Sequence, residues 1–352
     1  MLRFLCLLVA CLLASSACSG SSGDNAGTSE SVAGTAGSVT DSTEQANTTE
    51  PASGETTAPQ DSGPCDGVAL GRSSFELVAG GAVYAVQLYV PTSFDGSPLP
   101  LVLNWHGLGS NGGQQSSLSG YEALAQQEGF IVAHPTGIPA PGGTRNSWEL
   151  SQFDQPGRDD VAFVEMLIDE LVDTACVDES RVYTTGLSNG GFFTSRLVCE
   201  LSDRIAAAAS VAGTTHHDGC EPSRAVPYLS FHGTADEVVG FDGGGSSLAA
   251  DNALPEMVEF FDQVMPDEFA EFAAGAGCGP GVTTELTDEV TRTDYPGCDD
   301  DAVHSFYTVI DGGHTWPGSP LGPVLEGILG HTTTDISATE LSWEFFRSYS
   351  LD

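Results

Sequence analysis

The chain has 352 residues, of which 40% are hydrophobic, so it can bury a full core in one large domain or two small ones. Its 49 acidic residues outnumber ten basic ones, all arginine, and the formal net charge is −39. A field of that sign repels nucleic acid and anionic lipid and excludes both as partners; we attribute it to solubility in salty surroundings, with a cationic partner as the alternative.

Residues 1–17 are predicted to be an export signal. They carry an arginine, an apolar run from Phe4 to Leu13 and then small residues. The run is too short to anchor stably in a bilayer. Small residues followed by Cys18 are similar to the lipobox of bacterial lipoproteins, whose cysteine is lipidated, although Ser15 stands where that pattern prefers leucine. We expect a surface lipoprotein lipidated at Cys18, attached to the membrane only there, with plain secretion after Ala17 as the alternative.

Residues 18–64 are predicted to be a tether and residues 65–352 the folded domain. From Ser19 to Pro64 the chain holds serine, threonine, glycine, alanine and acidic residues, with no aromatic residue. Such a segment cannot bury enough apolar surface to offset the entropy lost on ordering.

Six cysteines remain in the folded part after Cys6, Cys11 and Cys18 are set aside. An even number in an exported chain predicts three disulfides, although spacing alone leaves the pairing open. The chain has no CxxC motif and no Cys/His cluster at zinc spacing, so we expect no metal and no cofactor. His216, His217 and Asp218 could form a metal cluster, but we favour a solvated loop.

Strands and helices alternate along the folded part. Two strands joined at Gly80 and Gly81 come first, and the predicted elements that follow are strand LPLVLNWHG, helix GYEALAQQEG, strand FIVAHP, helix DDVAFVEMLIDELVDTA, strand SRVYTTGLS, helix NGGFFTSRLVCEL, strands IAAAASVAG, VPYLSFHG and VHSFYTVIDGGH, and helix ATELSWEFFRSYS. This alternation predicts an α/β fold with a mostly parallel central sheet covered by helices on both faces. The chemistry of such folds gathers at the carboxyl ends of the strands.

Ser188 is the predicted nucleophile. It stands in GLSNG, between Gly186 and Gly190, a pattern that is weak alone but here follows a strand and opens a helix. A nucleophile at such a sharp turn needs a strained backbone, and flanking glycines relieve the crowding. The alternative, a helix N-cap, explains the serine but not both glycines.

The nucleophile needs a base and a carboxylate to orient it. We predict His314 as the base, because it follows a late strand and Gly312 and Gly313 leave its loop free to fold over the site. We predict Asp236 as the acid, since it follows the strand ending in HGTAD. Glu237 and Asp242 are its rivals, and a simple turn role is the alternative. Serine, aspartate and histidine then follow the chain order of α/β-hydrolases.

Two backbone amides are expected to hold the oxyanion. One belongs to Asn189, directly after the nucleophile, and the other to Leu108, with Gly109 next. His106 and Gly107 precede them at the substrate-binding edge, with His106 a structural hydrogen-bonding residue rather than a second base. Trp316 is a candidate wall of the substrate pocket, with ordinary packing as the alternative.

Several blocks of the sequence, LVLNWHGLGSNG, RVYTTGLSNGGFFTSRLVCELSDRIAAAASVAG, VPYLSFHGTAD, GGHTWPG and DISATELSWEFF, resemble the polyhydroxybutyrate depolymerase and feruloyl esterase group of secreted esterases. The resemblance covers residues 65–352. It implies an α/β-hydrolase fold with Ser188, Asp236 and His314 in the roles that chain order gave. It also implies disulfides between Cys278 and Cys298 and between Cys199 and Cys220, which leaves Cys65 for Cys176.

One segment departs from that group. Relatives often have tryptophan where this chain has Phe272, and the preceding segment, Leu248 to Ala270, is long and could cover the active site.

From the motifs and the resemblance together, we predict an exported serine esterase, expected to be a monomer, that hydrolyses hydroxyalkanoate esters or feruloyl and acetyl esters on polysaccharide. A glycan- or polymer-binding surface lipoprotein without turnover is the alternative, and a peptidase on the same fold is a third possibility.

Overall fold

A ten-stranded sheet organises the part of the chain that the computed structural model describes, namely residue 65 and residues 67–139, 143–150, 158–217, 219–244 and 263–352. The predicted signal peptide, Cys18, the tether, Asp218 and residues 248–262 of the segment before Ala270 lie outside the described residues.

Strands and helices alternate through the central part of the chain. In chain order, the strands are β1 Gly71–Ala79, β2 Ala82–Val90, β3 Leu99–Trp105, β4 Ile131–Thr136, β5 Ile138–Pro139, β6 Asn146–Ser147, β7 Val177–Leu187, β8 Ala207–Val211, β9 Tyr228–Gly233, β10 Val282–Glu285, β11 Val290–Tyr295 and β12 His304–Val309. The helices are α1 Gly112–Ser119, α2 Tyr121–Glu128, α3 Asp160–Ala175, α4 Asn189–Glu200, α5 Met265–Gly275, α6 Gly322–Leu329 and α7 Ala338–Phe346.

The sheet is parallel at its centre and antiparallel at both sides. Its strand order is β1-β2-β4-β3-β7-β8-β9-β12-β11-β10, and every neighbouring pair from β4 to β12 is parallel. The β1–β2 and β10–β11 hairpins extend it with antiparallel strands. Gly80 and Gly81 form the first hairpin turn with φ of 58° and 85°, the positive angles that a two-residue turn requires.

Helices cover both faces of the sheet, as predicted. Side chains alternate across β7, so that Val182 lies in one core cluster and Tyr183 in the other. The first cluster packs α3 and α4 against the sheet, through residues such as Phe163 and Phe192. The second packs α2 and α7 against the opposite face, with Trp343 among its buried residues. This is the α/β-hydrolase architecture, in which the parallel sheet lies between two layers of helices.

Several elements were not predicted, and one of them, helix α1, has no apolar period. Helix α1, GGQQSSLS, is held through polar side chains: Gln115 donates to Asn104 Oδ1 and Asn104 donates to Ser119 Oγ, each at 2.8 Å. The hairpin β10–β11 and helices α5 and α6 were also missed. The strand predicted to run as far as His314 ends at Val309, so His314 lies in the following loop.

Three disulfides are present with the pairing that the resemblance implied: Cys65–Cys176, Cys199–Cys220 and Cys278–Cys298. The first closes a loop of 111 residues and ties the start of the described domain to the end of α3. Disulfides persist in oxidising compartments, so the pairing indicates an extracellular protein. Within the described residues, no helix has the length and apolarity to cross a membrane.

Candidate active site

Ser188 lies at the turn between β7 and α4. Its backbone has φ of 56° and ψ of −120°, which residues other than glycine rarely adopt. The Ser188 side chain makes no capping hydrogen bond to α4, so an N-cap role does not explain this residue. A strained serine between a strand and a helix has the geometry of the nucleophile elbow.

Both glycines beside Ser188 are required by close packing of the turn. A Cβ atom on Gly186 would lie 2.4 Å from the carbonyl oxygen of Gly190. A Cβ atom on Gly190 would lie 2.4 Å from the carbonyl oxygen of Trp105, at the end of β3. Each atom would collide with backbone that cannot move aside, so only glycine fits at these two positions.

The Asp236 carboxylate holds the His314 imidazole. Asp236 Oδ2 accepts a hydrogen bond from His314 Nδ1 at 2.7 Å, and both residues are buried. Asp236 Oδ1 accepts hydrogen bonds from the backbone amides of Val238 and Val239, each at 2.8 Å. With both oxygens engaged, the carboxylate is fixed in orientation. This arrangement leaves Nε2 as the His314 atom available to accept a proton.

The environment of Asp236 keeps its carboxyl ionised. Burial opposes ionisation, but the charge of His314 and its hydrogen bond outweigh burial and lower the Asp236 pKa below its ordinary value. His232 Nε2 lies 3.5 Å from Asp236 Oδ2 and donates to the Val239 carbonyl oxygen at 2.9 Å. The rival acids Glu237 and Asp242 are both exposed.

Ser188, Asp236 and His314 lie beyond the carboxyl ends of parallel strands in the middle of the sheet. Strand β8 separates β7 from β9, and β12 follows β9, with all four parallel. Their carboxyl ends therefore point the same way, and Ser188, Asp236 and His314 each follow one of these ends.

The loop that carries His314 is fixed from outside by the end of α6. The His314 amide donates to the Leu329 carbonyl oxygen at 2.7 Å, and the Gly313 amide donates to that of His331 at 2.9 Å. A Cβ atom on Gly313 would lie 2.0 Å from the Leu329 carbonyl oxygen. The glycine before His314 thus permits a tight backbone contact, whereas the sequence had suggested a loop free to fold over the site.

The two loops expected to hold the oxyanion meet at Trp148. Its backbone amide donates to Asn189 Oδ1 at 2.6 Å, and Asn189 Nδ2 donates to the Trp148 carbonyl oxygen at 3.1 Å. The Trp148 indole donates to the His106 carbonyl oxygen at 3.0 Å. One buried tryptophan therefore connects the start of α4 to the loop after β3.

A contact of the loop after β3 narrows the choice between Leu108 and Gly109 as the second predicted oxyanion donor. The Gly109 amide donates to the Asn146 carbonyl oxygen at 2.7 Å, so this amide is already engaged. Leu108 remains the candidate in that loop. Gly107 is buried beside Ser188, since a Cβ atom on it would lie 3.4 Å from Ser188 Cβ.

His106 and Trp316 have structural roles here. His106 is fully buried, and its ring nitrogens contact the Gly107 carbonyl oxygen at 2.7 Å and the Gly137 amide at 2.9 Å. Burial lowers its pKa to about 4, so the ring stays neutral. Trp316 is also fully buried and donates to Thr339 Oγ1 at 2.9 Å. Neither side chain has a surface that substrate can reach, so the packing alternative describes Trp316.

A buried ion pair supports the loop that contains Trp148. Arg158 Nε donates to Asp160 Oδ1 at 2.9 Å, and Arg158 Nη1 donates to the Ile138 carbonyl oxygen at 3.0 Å. The Glu149 amide donates to Asp160 Oδ2 at 2.8 Å. Neither this pair nor Trp148 was predicted from the sequence. The adjoining strands β5 and β6 have two residues each, which is too short to show the alternating pattern of a strand in the sequence.

Among the described residues, one group of potential metal ligands comes together, formed by Cys278, Cys298 and His304. Its two cysteines form a disulfide, so the group offers no thiolate. His217, from the alternative cluster, is buried, and burial lowers its pKa to about 4. This leaves no described group with the donors of a zinc site.

Two curated relatives match most of the described domain. NocK of Nocardia uniformis subsp. tsuyamanensis, which is named as an esterase, is 31% identical over 288 residues, covering 77% of this chain and 81% of that protein. Feruloyl esterase B of Piromyces equi is 31% identical over 267 residues, covering 74% of this chain. The match spans only 44% of that feruloyl esterase.

No protein-family model matches the chain. Among solved structures, an acetyl xylan esterase from Aspergillus awamori overlays with a TM-score of 0.46 at 17% identity, covering 69% of this chain and 94% of that one. The strand order and the sequence relatives, rather than this overlay, establish the fold.

Proposed function

The chain belongs to the α/β-hydrolase family of carboxylic ester hydrolases that includes feruloyl esterases, and we propose that it is a serine esterase acting through an acyl-enzyme. The observation that carries the proposal is the buried hydrogen bond between Asp236 and His314, on the same sheet edge as the strained Ser188. A serine hydroxyl becomes a nucleophile only when such an oriented base accepts its proton.

In the proposed acylation step, His314 Nε2 accepts the Ser188 hydroxyl proton as Ser188 Oγ attacks the ester carbonyl carbon. The negative Asp236 carboxylate stabilises the imidazolium that forms. The backbone amides of Asn189 and Leu108 donate to the carbonyl oxygen as it gains negative charge. The imidazolium then protonates the leaving alcohol, and the acyl group stays bonded to Ser188.

In the proposed deacylation step, water takes the place of the alcohol. His314 accepts a proton from that water, whose oxygen attacks the acyl carbon, and the same amides hold the oxyanion. Collapse of this intermediate releases the carboxylic acid and returns the proton to Ser188 Oγ. The cycle needs no metal and no cofactor, because every proton moves between Ser188, His314, substrate and water.

Two ester classes are proposed as substrates. Feruloyl and acetyl esters on polysaccharide are the first class, and the match to feruloyl esterase B supports its feruloyl esters. Hydroxyalkanoate oligomers or polymers are supported by the resemblance of the sequence blocks to polyhydroxybutyrate depolymerases. Both classes contain the carboxylic ester that the proposed steps require.

We also propose that residues 1–17 export the chain and residues 18–64 tether the esterase domain of residues 65–352, with lipidation at Cys18 as the anchor. The disulfide Cys65–Cys176 supports a domain start near residue 65, because it bonds Cys65 covalently to the end of α3. Mass spectrometry of the mature N-terminus tests this arrangement. A diacylated Cys18 supports the anchor, whereas an unmodified N-terminus at Cys18 indicates plain secretion.

The catalytic proposal is tested with a panel of p-nitrophenyl acyl esters, methyl ferulate and hydroxybutyrate oligomers, presented to the oxidised protein. We expect turnover by the parent and by Ser117→Ala, a control at an exposed serine on α1. Turnover should be lost in Ser188→Ala. Turnover that survives in Ser188→Ala overturns the assignment of the nucleophile. A folded parent that binds polymer without hydrolysing any ester would instead be a binding lipoprotein.

A further inference from the structure

Positive charge is scarce in this protein, and most of it is neutralised internally. The chain has ten arginines and no lysine. Seven of the described arginines form ion pairs with carboxylates: Arg72, Arg158, Arg181, Arg196, Arg204, Arg292 and Arg347. Arg224 donates to three backbone carbonyl oxygens. Among the described residues, Arg145 alone of the arginines has neither an ion pair nor a hydrogen bond from its side chain, and it is exposed.

The Arg145 side chain lies against Gly109, in the loop after β3 that contains the predicted oxyanion donor Leu108. Its Cδ, Cγ and Cβ atoms are 3.6, 3.7 and 3.9 Å from the position that a Cβ atom on Gly109 would occupy. Gly109 is two residues beyond Gly107, on which a Cβ atom would lie 3.4 Å from Ser188 Cβ. Two residues of chain span at most about 7 Å, so Arg145 packs on the same short loop segment that adjoins Ser188.

Backbone contacts hold Arg145 in this place. The carbonyl oxygen of the next residue, Asn146, accepts a hydrogen bond from the Gly109 amide at 2.7 Å. Asn146 Nδ2 donates to the Ser110 carbonyl oxygen at 2.9 Å. Asn146 also pairs with Pro139 in the β5–β6 hairpin. The start of the Arg145 side chain is therefore fixed relative to Leu108, while its guanidinium remains exposed to solvent.

We propose that Arg145 binds a carboxylate carried by the substrate beside the scissile ester. This inference rests on the proposed esterase function and chooses between its two proposed substrate classes. A guanidinium binds a carboxylate through two parallel hydrogen bonds, and no carboxylate among the described residues forms an ion pair with Arg145. The substrate class that fits is a short hydroxyalkanoate oligomer with a free acid end, because its alcohol half places a carboxylate a two-carbon link away from the ester oxygen. A feruloyl ester is neutral near its ester bond.

The test compares the 3-hydroxybutyrate dimer, which has a free carboxylate, with the methyl ester of the same dimer. The measured quantity is the ratio of kcat/KM for the acid to kcat/KM for the methyl ester. In R145Q this ratio should fall by at least about tenfold, since even one lost hydrogen bond to a charged group has an effect of that size, and R145K should recover part of it. The matched control R347Q removes a half-exposed arginine directly after α7, paired with Glu344, and should keep the parent ratio.

The outcomes separate this inference from the esterase proposal. A parent that hydrolyses neither dimer, methyl ester nor p-nitrophenyl acetate overturns the proposed function. A parent that hydrolyses the methyl ester, but whose ratio is the same in R145Q as in R347Q, overturns the role of Arg145 alone. Loss of the preference in R145Q together with weaker salt dependence supports a carboxylate contact, since screening acts on the charged pair.

Discussion

Replacing Asp236 with asparagine tests whether the buried carboxylate sets the protonation state of the base. The structure fixes how asparagine would sit. The Val238 and Val239 amides both point at Oδ1, at 2.8 Å each, so the asparagine carbonyl oxygen must take that position. The asparagine NH₂ group then faces His314 Nδ1 and donates to it. His314 must accept at Nδ1 and carry its proton on Nε2, where it cannot accept the proton of Ser188.

The expected loss of kcat in Asp236→Asn is about 10³- to 10⁴-fold, the size known for this change in a Ser-His-Asp protease. That loss corresponds to about 4 to 5.5 kcal/mol of transition-state stabilisation. KM should change little, because Asp236 is buried and touches His314 rather than substrate. The backbone amides keep their acceptor, so the variant should fold.

The assay is steady-state hydrolysis of p-nitrophenyl acetate with thermal unfolding measured in parallel. Glu237→Gln is the matched control, since it removes a neighbouring exposed carboxylate and should retain parent kcat. An Asp236→Asn variant that folds and retains more than about a tenth of parent kcat would refute the reasoning. The acid of the triad would then have to be sought elsewhere.

Three further predictions concern the support of the site and the stability of the domain. Asn189→Ala removes both hydrogen bonds to Trp148 and should lower kcat more than it raises KM in steady-state kinetics. A variant that loses folding stability in an unfolding experiment, and whose folded fraction accounts for all of the lost activity, would contradict a positioning role. Burial lowers the pKa of His134 to about 3, so the unfolded chain binds more protons between about pH 6.5 and 3, and the free energy of unfolding should fall as the pH drops through that window. Urea unfolding checks this, and a His134→Asn variant should lose stability less steeply. Removing the Cys65–Cys176 disulfide by double serine substitution should cost about 2 to 5 kcal/mol of stability, seen as a lower Tm; an unchanged Tm would count against the bond.

The central fold was predictable because its elements carry strong apolar patterns. Helix α3 buries one face at regular spacing, and β8 and β9 are short, fully buried strands. Helix α1 was not predictable, because polar side chains such as Gln115 hold it against the sheet. Nothing in the sequence showed that Asn104 would supply the matching groups from β3.

Local patterns predicted the candidate catalytic residues and their order in the chain, and their catalytic roles stay predictions. Ser188, Asp236 and His314 each follow a strand whose pattern is local, and parallel strands bring their carboxyl ends to one edge. The groups that surround them became known only from the folded chain. Trp148 joins Asn189 to the loop after β3, His106 and Trp316 are buried beyond the reach of substrate, and Arg145 lies against Gly109. These contacts join residues distant in the chain, and a local pattern cannot encode a partner that only folding brings near.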